Sequence, residues 1–264
     1  MQASWAIVPP LLLLISARKA EELAEEPPPR IQPRIFNGRE ISNGALGGMG
    51  IQIFNRTHLL CTGTLLTPRH FLTAAHCFDG MKLSDFHVIG GMTKEFNGHQ
   101  TNFKRNRLVA VRISPDFERD SFIGDVAVAK IQYPLRSKYI GYAAVCKSPL
   151  FTSDTVTVAG WGYNGGNRDG SRNTLRYMKV RIVERSVCER QLGRSLPPNI
   201  ICAGGYDGRT LCYGDSGGPL LFRHQVCGIS TWTFKCGNSD KPDIYMSVRY
   251  YAKFIIKAVG EMGK

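Results

Sequence analysis

The segment Gly214-Asp215-Ser216-Gly217-Gly218-Pro219 decides how this chain folds and is the starting point for interpreting it. About 140 residues before it the chain reads Leu72-Thr73-Ala74-Ala75-His76-Cys77, and Gly124-Asp125-Val126-Ala127-Val128-Ala129 lies between the two. A serine hydroxyl is a poor nucleophile at neutral pH. It needs an imidazole to take its proton and a carboxylate to fix the tautomer of that imidazole. The three segments supply these groups in the order His76, Asp125, Ser216, which separates this arrangement from other folds that use the same trio.

Each of these segments also has an interpretation without catalysis. The serine segment could be a glycine-rich turn, His76 could be a buried histidine beside a structural cysteine, and Asp125 could cap a strand. Found together, in this order and with cysteines at fixed offsets, the three segments favour nucleophilic catalysis.

At these residues the chain resembles the chymotrypsin/trypsin family of secreted serine endopeptidases, and in particular its short-propeptide, invertebrate-type members. The resemblance runs from Ile35 to about residue 260. It implies an all-β fold of two six-stranded antiparallel β-barrels with a C-terminal helix and with the three catalytic groups in the cleft between the barrels. It also implies that the amides of Gly214 and Ser216 form the oxyanion hole. The alternative is a catalytically silent binding protein of the same fold.

The N-terminal region predicts export from the cell. Residues 1–16 contain no lysine or arginine, and residues 9–15 are apolar, which is typical of a signal peptide that ends between residues 17 and 20. Residues 21–34 are acidic and proline-rich, so they cannot form a core and are expected to be an extended propeptide. The protease domain then spans residues 35–264. No later segment is apolar enough to cross a membrane, and the predicted location is extracellular.

The junction between Arg34 and Ile35 resembles the activation site of the family. Cleavage there would free the ammonium group of Ile35, which the resemblance pairs with Asp215. Because a buried carboxylate without a partner is costly, Asp215 is expected to turn inward only after that cleavage. The alternative is an ordinary linker dipeptide. Family zymogens often hold the aspartate with a histidine two residues before the first bridge cysteine, and here that residue is Leu59.

Eight cysteines follow the N-terminal region, and none forms a C-x-x-C pair of the zinc type. An even number of cysteines predicts four disulfides in an oxidising compartment. The resemblance implies three of the bridges and leaves the fourth to the remaining two cysteines: Cys61–Cys77, Cys188–Cys202, Cys212–Cys236 and Cys146–Cys227. The resemblance implies no metal and no cofactor. Asn55-Arg56-Thr57 is a glycosylation sequon.

Hydrophobic patterns predict the secondary structure. Segments rich in β-branched and aromatic residues predict strands at 70–73, 108–113, 125–131, 155–159 and 226–231. Around residue 180, apolar and charged residues alternate, which predicts a half-buried strand. Two helices are expected, at residues 186–192 and 249–259, and the second has Tyr250, Phe254 and Ile255 on one face.

The resemblance also defines a substrate pocket whose residues depart from the usual pattern. Thr210 stands where trypsin-like members carry an aspartate, and Asp243 and Thr233 replace glycines. Trp232 is expected to form a wall of the pocket. Asp243 either places a negative charge at a shifted height in a shallow pocket or caps a turn and faces water. The first alternative predicts weak cleavage after Arg or Lys together with cleavage after apolar residues.

The charge of the chain limits its partners. The net charge is +13, and removing residues 1–34 takes away four basic and four acidic residues, so the mature chain keeps this charge. Such a balance favours an anionic surface or a polyanion as a partner, and Lys104-Arg105-Asn106-Arg107 with Arg112 is the densest basic cluster. The chain has no aromatic-basic motif of a nucleic-acid reader. The other expected partners are a protein or peptide substrate and an upstream trypsin-like activating protease.

Overall fold

The computed structural model describes Ile35 and residues 38–100, 103–121, 123–162, 174–205, 208–237 and 240–263. The predicted signal peptide, the predicted propeptide and Arg34 lie outside these residues. The described part of the chain contains fourteen β-strands and two α-helices. The five segments predicted to be strands are strands, and the ends differ from the prediction by two residues at most.

The first barrel is closed by six antiparallel strands in the order β2-β3-β4-β7-β6-β5. The two-residue turn Arg56-Thr57 joins β2 to β3, with Asn55 paired to His58. Ile51, Ile53 and Phe71 are fully buried, so the strands surround an apolar core. The strands are β2 (Gly50–Asn55), β3 (His58–Leu65), β4 (His70–Thr73), β5 (Phe86–Gly90), β6 (Asn106–Ile113) and β7 (Ala127–Ile131).

The second barrel also has six antiparallel strands, in the order β10-β11-β14-β13-β12-β9, and the pairing of β9 with β10 closes it. Two short strands extend this sheet, β1 (Arg39–Glu40) beside β10 and β8 (Ala144–Val145) parallel to β13. The barrel strands are β9 (Thr155–Gly160), β10 (Arg176–Val183), β11 (Ile200–Ala203), β12 (Pro219–Phe222), β13 (Gln225–Trp232) and β14 (Asp243–Ser247). The predicted alternation is present in β10, where Met178, Val180 and Ile182 are buried and the residues between them are exposed. The two-barrel fold predicted from the sequence is therefore confirmed.

All four predicted disulfides are present. The least usual bridge, Cys146–Cys227, joins the chain just after β8 to β13, and its Cα atoms are 4.8 Å apart. The amide of Cys146 donates to the carbonyl of Val226 at 3.0 Å, so the parallel pairing of β8 with β13 brings the two cysteines together.

The two helices are α1 (Arg185–Leu192) and α2 (Ala252–Glu261). The second begins three residues later than predicted, because residues 247–251 form a turn in which the amide of Tyr251 donates to the carbonyl of Ser247. Tyr250 is therefore outside the helix and 53% exposed, and its predicted place on one helix face with Phe254 and Ile255 is wrong. Tyr251 is buried instead. No described helix combines the length and the apolar character needed to span a membrane.

Candidate active site

His76 and Asp125 lie at the same end of two paired strands. Strands β4 and β7 are antiparallel neighbours, with Thr73 opposite Ala127. His76 follows β4 in the short 3₁₀ turn Ala75–Cys77, and Asp125 precedes β7 by two residues. The pairing of the two strands therefore brings the two side chains together.

The carboxylate of Asp125 makes two hydrogen bonds to His76. Its Oδ2 is 2.7 Å from the imidazole Nδ1, and its Oδ1 accepts the main-chain N–H of His76 at 2.8 Å. The Asp125 side chain is 10% exposed and the His76 side chain 35%, so the carboxylate is shielded while the ring reaches the cleft. The second bond fixes which oxygen faces the ring.

Ser216 lines the same cleft as His76 and Gly214. The cleft has a volume of about 570 Å³, and Trp161 and Tyr213 form part of its wall. Tyr213 is 78% exposed at its edge. The histidine, the serine and the residue predicted to donate to an oxyanion therefore face one open space.

Two main-chain donors at the serine have no partner among the described residues. The amide of Asp215 donates to the carbonyl of Cys212 at 3.0 Å, and the amide of Gly217 donates to the carbonyl of Ser230 at 2.7 Å. The N–H groups of Gly214 and Ser216 make no hydrogen bond within the part of the chain that the structure describes. Both residues are only partly buried and line the cleft, so their N–H groups are accessible to a substrate oxygen.

The carbonyl groups of Gly214, Asp215 and Ser216 each accept a hydrogen bond. The carbonyl of Gly214 accepts from the Thr62 hydroxyl at 2.9 Å, and the carbonyl of Asp215 accepts from the amide of Gly218 at 2.9 Å. The carbonyl of Ser216 accepts from the amide of Thr62, also at 2.9 Å. These bonds orient the peptide planes on both sides of the nucleophile.

Gly217 allows the two barrels to meet. With φ at +79°, a Cβ atom there would overlap Thr73 Oγ1, the carbonyl of Thr62 and the amide of Ala74, all in the first barrel. From the sequence, glycine at this position is explained by a side chain crowding the substrate backbone. The structure shows that the obstacle is the other barrel, so the close approach of two backbones requires glycine here.

Asp215 is completely buried and points away from the cleft. Its Oδ1 accepts the amide of Gly162 at 2.8 Å and its Oδ2 accepts the amide of Cys212 at 2.9 Å. A Cβ on Gly160 or Gly162 would collide with this carboxyl group. Burial raises the pKa of Asp215 to about 7, although both amides favour the charged form.

The inward position of Asp215 differs from the expectation that it requires the free ammonium of Ile35. In the chain with the Arg34–Ile35 bond intact, the two amides donate to the carboxyl group, and its raised pKa of about 7 makes it neutral below that pH, so it is buried without a cation from any described residue. Ile35 is 1% exposed and belongs to the apolar cluster that contains Val158 and Leu211. Ile35, the residue that would supply the ammonium, is therefore already inside the protein.

The predicted pocket residues lie around a buried carboxyl group. Asp243 is fully buried, so the alternative in which it faces water is wrong. Its Oδ2 accepts the amide of Leu211 at 2.8 Å, and its Oδ1 has no partner among the described residues. Thr210 is buried and its hydroxyl accepts the amide of Gly237 at 2.7 Å, so it offers no charge at the position where trypsin-like members have one.

Two further buried hydroxyl groups, those of Ser230 and Tyr245, have no hydrogen bond within the described residues. Burial, with a smaller contribution from the negative charge of Asp215, raises the pKa of Asp243 to about 7, although the amide of Leu211 and the nearby hydroxyl of Thr233 favour the charged form. Burial, with Asp243 nearby, also holds the pKa of Tyr245 well above its usual value. Sequence reasoning missed Ser230 and Tyr245, because a hydroxyl in a buried strand carries no functional signal of its own.

Two neighbouring residues of strand β13 also bear on the pocket. Trp232 is 43% exposed, which is compatible with the pocket wall predicted for it. The resemblance implies that the hydroxyl of Thr231 supports Asp125, but it donates to the carbonyl of Ile244 at 3.1 Å. Strand β13 pairs with β14 at this point, so the side chain of Thr231 makes its hydrogen bond within the second barrel.

Cys61, His76 and Cys77 form a group with the spacing of metal ligands. Both sulfurs belong to the Cys61–Cys77 disulfide, so neither is a thiolate, the form in which cysteine binds metals. The group therefore anchors the turn that carries His76 to strand β3.

The family model described as Trypsin matches residues 35–255. The chain belongs to the trypsin family. It is a serine endopeptidase by this membership, and the match begins at Ile35, the residue after the predicted cleavage site.

Several relatives support the assignment. Seminase of Drosophila melanogaster is 30% identical over 234 residues, which are 88% of this chain and 84% of that protein. Alkaline trypsin A of Manduca sexta is 31% identical over 205 residues, 74% of this chain and 77% of that protein. The venom serine protease of Polistes dominula is 29% identical over 248 residues, 86% of each chain.

A solved structure supports the fold. Neuropsin, a serine protease of mouse brain, superposes with a TM-score of 0.74 at 24% identity, covering 84% of this chain and 98% of that one. At this identity the likeness concerns the fold alone, and it agrees with the two closed barrels.

Proposed function

We propose that this protein is a secreted serine endopeptidase, made as a zymogen, that is activated by cleavage after Arg34 and hydrolyses peptide bonds with His76, Asp125 and Ser216. The observation that carries the proposal is the hydrogen-bonded pair of His76 and Asp125 in one cleft with Ser216 and two unpaired main-chain donors. A catalytically silent protein that binds its partners through a basic surface would not need this arrangement.

The proposed reaction begins when Ser216 Oγ attacks the carbonyl carbon of the scissile bond and Nε2 of His76 takes the hydroxyl proton. Asp125 holds Nδ1 protonated and stabilises the imidazolium without accepting its proton. The imidazolium then donates the proton to the leaving amine as the C–N bond breaks, which leaves an acyl-enzyme. Water, deprotonated by His76, hydrolyses this ester and restores Ser216.

The amides of Gly214 and Ser216 are proposed to bind the oxygen that becomes negative during this attack. Donors that are already oriented need no rearrangement when the charge develops, and each one contributes on the order of 10²–10³ in rate.

Peptide hydrolysis by the chain cut after Arg34 tests this function, with Ser216→Ala cut in the same way as the matched control. The proposal requires hydrolysis by the first sample and a background rate for the second. Equal rates in both samples would assign the activity to a contaminant.

Secretion, zymogen activation and modification are part of the same proposal. The apolar N-terminal segment, the Arg34–Ile35 junction and four disulfides support export and extracellular activation. Asn55 is partly exposed at the end of β2, beside a surface turn, which is compatible with the proposed glycosylation. A separate trypsin-like protease is the proposed activator, because the pocket is a weak site for basic residues.

The proposed specificity depends on Asp243. A carboxyl oxygen that is buried without a partner is costly, and a cationic side chain of the substrate would satisfy it. The charge lies at Asp243 while Thr210 is neutral, so basic residues are expected to bind less well than in a pocket with an aspartate at position 210. The uncharged walls also allow Leu, Phe or Tyr.

Replacing Asp243 by glycine should abolish cleavage after Arg and Lys and leave cleavage after Leu, Phe and Tyr. In the wild type, cleavage after basic residues should rise relative to apolar residues as the pH increases through about 7. The pKa of Asp243 is raised to about 7, so the carboxyl group is neutral below this pH and charged above it. A peptide-library profile of both forms between pH 6 and 8 measures this ratio, in which catalytic steps common to both kinds of substrate cancel. Identical profiles would contradict the role of Asp243.

We also propose that the basic surface binds a polyanion through one groove. A groove of about 550 Å³ is lined by Lys104, Arg105 and Arg136 with the exposed rings of Tyr133 and Tyr139, and its described lining contains no carboxylate. Arg112 of the predicted cluster lies 3.9 Å from Glu261, so part of its charge is already balanced. Exposed cations without nearby acids attract anionic chains.

Changing Lys104, Arg105 and Arg136 together to glutamine should lower the salt concentration at which the protein elutes from immobilised dextran sulfate. Each lost contact reduces the number of counterions released on binding. The matched control changes Lys179, Arg181 and Lys253, which are exposed elsewhere, and removes the same charge. Equal shifts for both variants would mean that net charge alone governs binding and that the groove is not a site.

A further inference from the structure

Thr62 connects the first barrel to the segment that carries the nucleophile. It lies in β3 and is completely buried. Its main-chain N–H donates to the carbonyl of Ser216, and its carbonyl accepts the hydroxyl of Thr73, both at 2.9 Å. Thr62 is therefore anchored in the first barrel while it binds the nucleophile segment of the second barrel.

The side chain of Thr62 adds two bonds that the main chain alone cannot make. Its hydroxyl donates to the carbonyl of Gly214 at 2.9 Å and accepts the amide of Trp161 at 3.3 Å. The hydroxyl thus joins the loop after β9 to the loop of the nucleophile. Because the side chain of Thr62 is buried, competition from water for these bonds is reduced.

The bond to Gly214 matters because glycine imposes little on its own conformation. Gly214 has φ at +92°, and without a side chain its two adjacent peptide planes can rotate easily. Its carbonyl accepts the Thr62 hydroxyl, and the N–H of the same peptide, that of Asp215, donates to the carbonyl of Cys212. The Gly214 N–H belongs to the preceding peptide, which meets this one at the Gly214 Cα. Loss of the Thr62 bond would free one side of the held plane and let φ of Gly214 change, and the Gly214 N–H would turn with it.

We propose that the hydroxyl of Thr62 is a positioning group for the oxyanion hole, which holds the Gly214 carbonyl so that the Gly214 N–H points into the cleft. Thr62 touches no substrate atom and acts through Gly214. The proposal rests on the proposed function, since it assigns a task within the same reaction.

The test compares Thr62→Ser with Thr62→Ala in the chain cut after Arg34, because these variants differ by one oxygen atom. Serine should keep kcat near the wild-type value. Alanine should lower kcat about tenfold to a hundredfold with little change in KM, since the loss of a whole donor costs on the order of 10²–10³. Affinity for a peptide aldehyde, whose adduct places an oxygen in the hole, should fall by the same factor.

A second measurement separates positioning from a general loss of stability. The affinity for a product peptide, which places no tetrahedral oxygen in the hole, should be the same for both variants. The ratio of the aldehyde affinity to the product affinity does not depend on the fraction of the sample that is folded. Equal kcat values and equal affinity ratios for serine and alanine would overturn the proposal while leaving Ser216-dependent hydrolysis intact. A wild-type chain without hydrolysis would remove both this proposal and the proposed function.

Discussion

Replacing Asp125 by asparagine should lower kcat about 10⁴-fold with little change in folding. The structure gives the reason. Oδ1 of Asp125 accepts the main-chain N–H of His76, so the amide oxygen of asparagine would take that place and its NH₂ group would face Nδ1. Nδ1 would then have to be an acceptor, and Nε2 would carry the proton. A protonated Nε2 cannot accept the proton of Ser216. Steady-state hydrolysis by the chain cut after Arg34 measures the effect.

The matched control is Asp85→Asn in the same barrel. Asp85 forms an ion pair with Arg56 on the surface, at 3.2 Å, and such pairs contribute little to stability. Its kcat should equal that of the wild type. If Asp125→Asn retained more than about a tenth of the wild-type rate, the assigned role of the carboxylate would be wrong.

Changing Arg34 to glutamine should leave the chain uncleaved and lower its activity at least about 100-fold relative to the cleaved form. A buried pair that lacks one partner costs roughly 3–5 kcal/mol, which corresponds to a factor of 10² or more. In the uncleaved chain Asp215 is buried against two amides without a cation from a described residue, and its pKa is raised to about 7. Above this pH the inward carboxylate is unpaired, whereas the Ile35 ammonium would pair with it. Initial rates at pH 8 for both forms measure the difference.

Two controls accompany this variant. Arg34→Lys keeps a basic residue and should still be activated by a trypsin-like protease. A chain in which residues 30–34 carry the recognition sequence of an unrelated protease should become fully active when that protease frees Ile35. Activity of uncleaved Arg34→Gln equal to that of the cleaved chain would contradict the ion-pair switch.

The sequence predicts the fold and the main residues of the site because their signals are local. The segments around His76, Asp125 and Ser216 each carry a distinct pattern, and apolar alternation in β10 identifies a half-buried strand. The four disulfides followed from the resemblance and from an even number of cysteines. Such features depend on residues that are close together in the sequence, or on a residue type, such as cysteine, that has few structural roles.

Contacts between the barrels could not be predicted in this way. The hydroxyl of Thr62 reaches Gly214 across 152 positions of the chain, and a side chain at Gly217 would collide with Thr73 of the other barrel. The bond from Thr231 to Ile244 likewise depends on the pairing of β13 with β14. These contacts are properties of the folded pair of barrels, and residue type alone does not indicate them.

Covalent labelling with a fluorophosphonate probe tests the central claim most directly. The chain cut after Arg34 is incubated with the probe, and the modified peptide is identified by mass spectrometry, with Ser216→Ala as the control. The account predicts one probe per folded molecule, attached to Ser216, because His76 activates that hydroxyl and the free amides of Gly214 and Ser216 stabilise the adduct. A folded and fully cleaved sample that takes up no probe would contradict the account and favour a silent binding protein of the same fold.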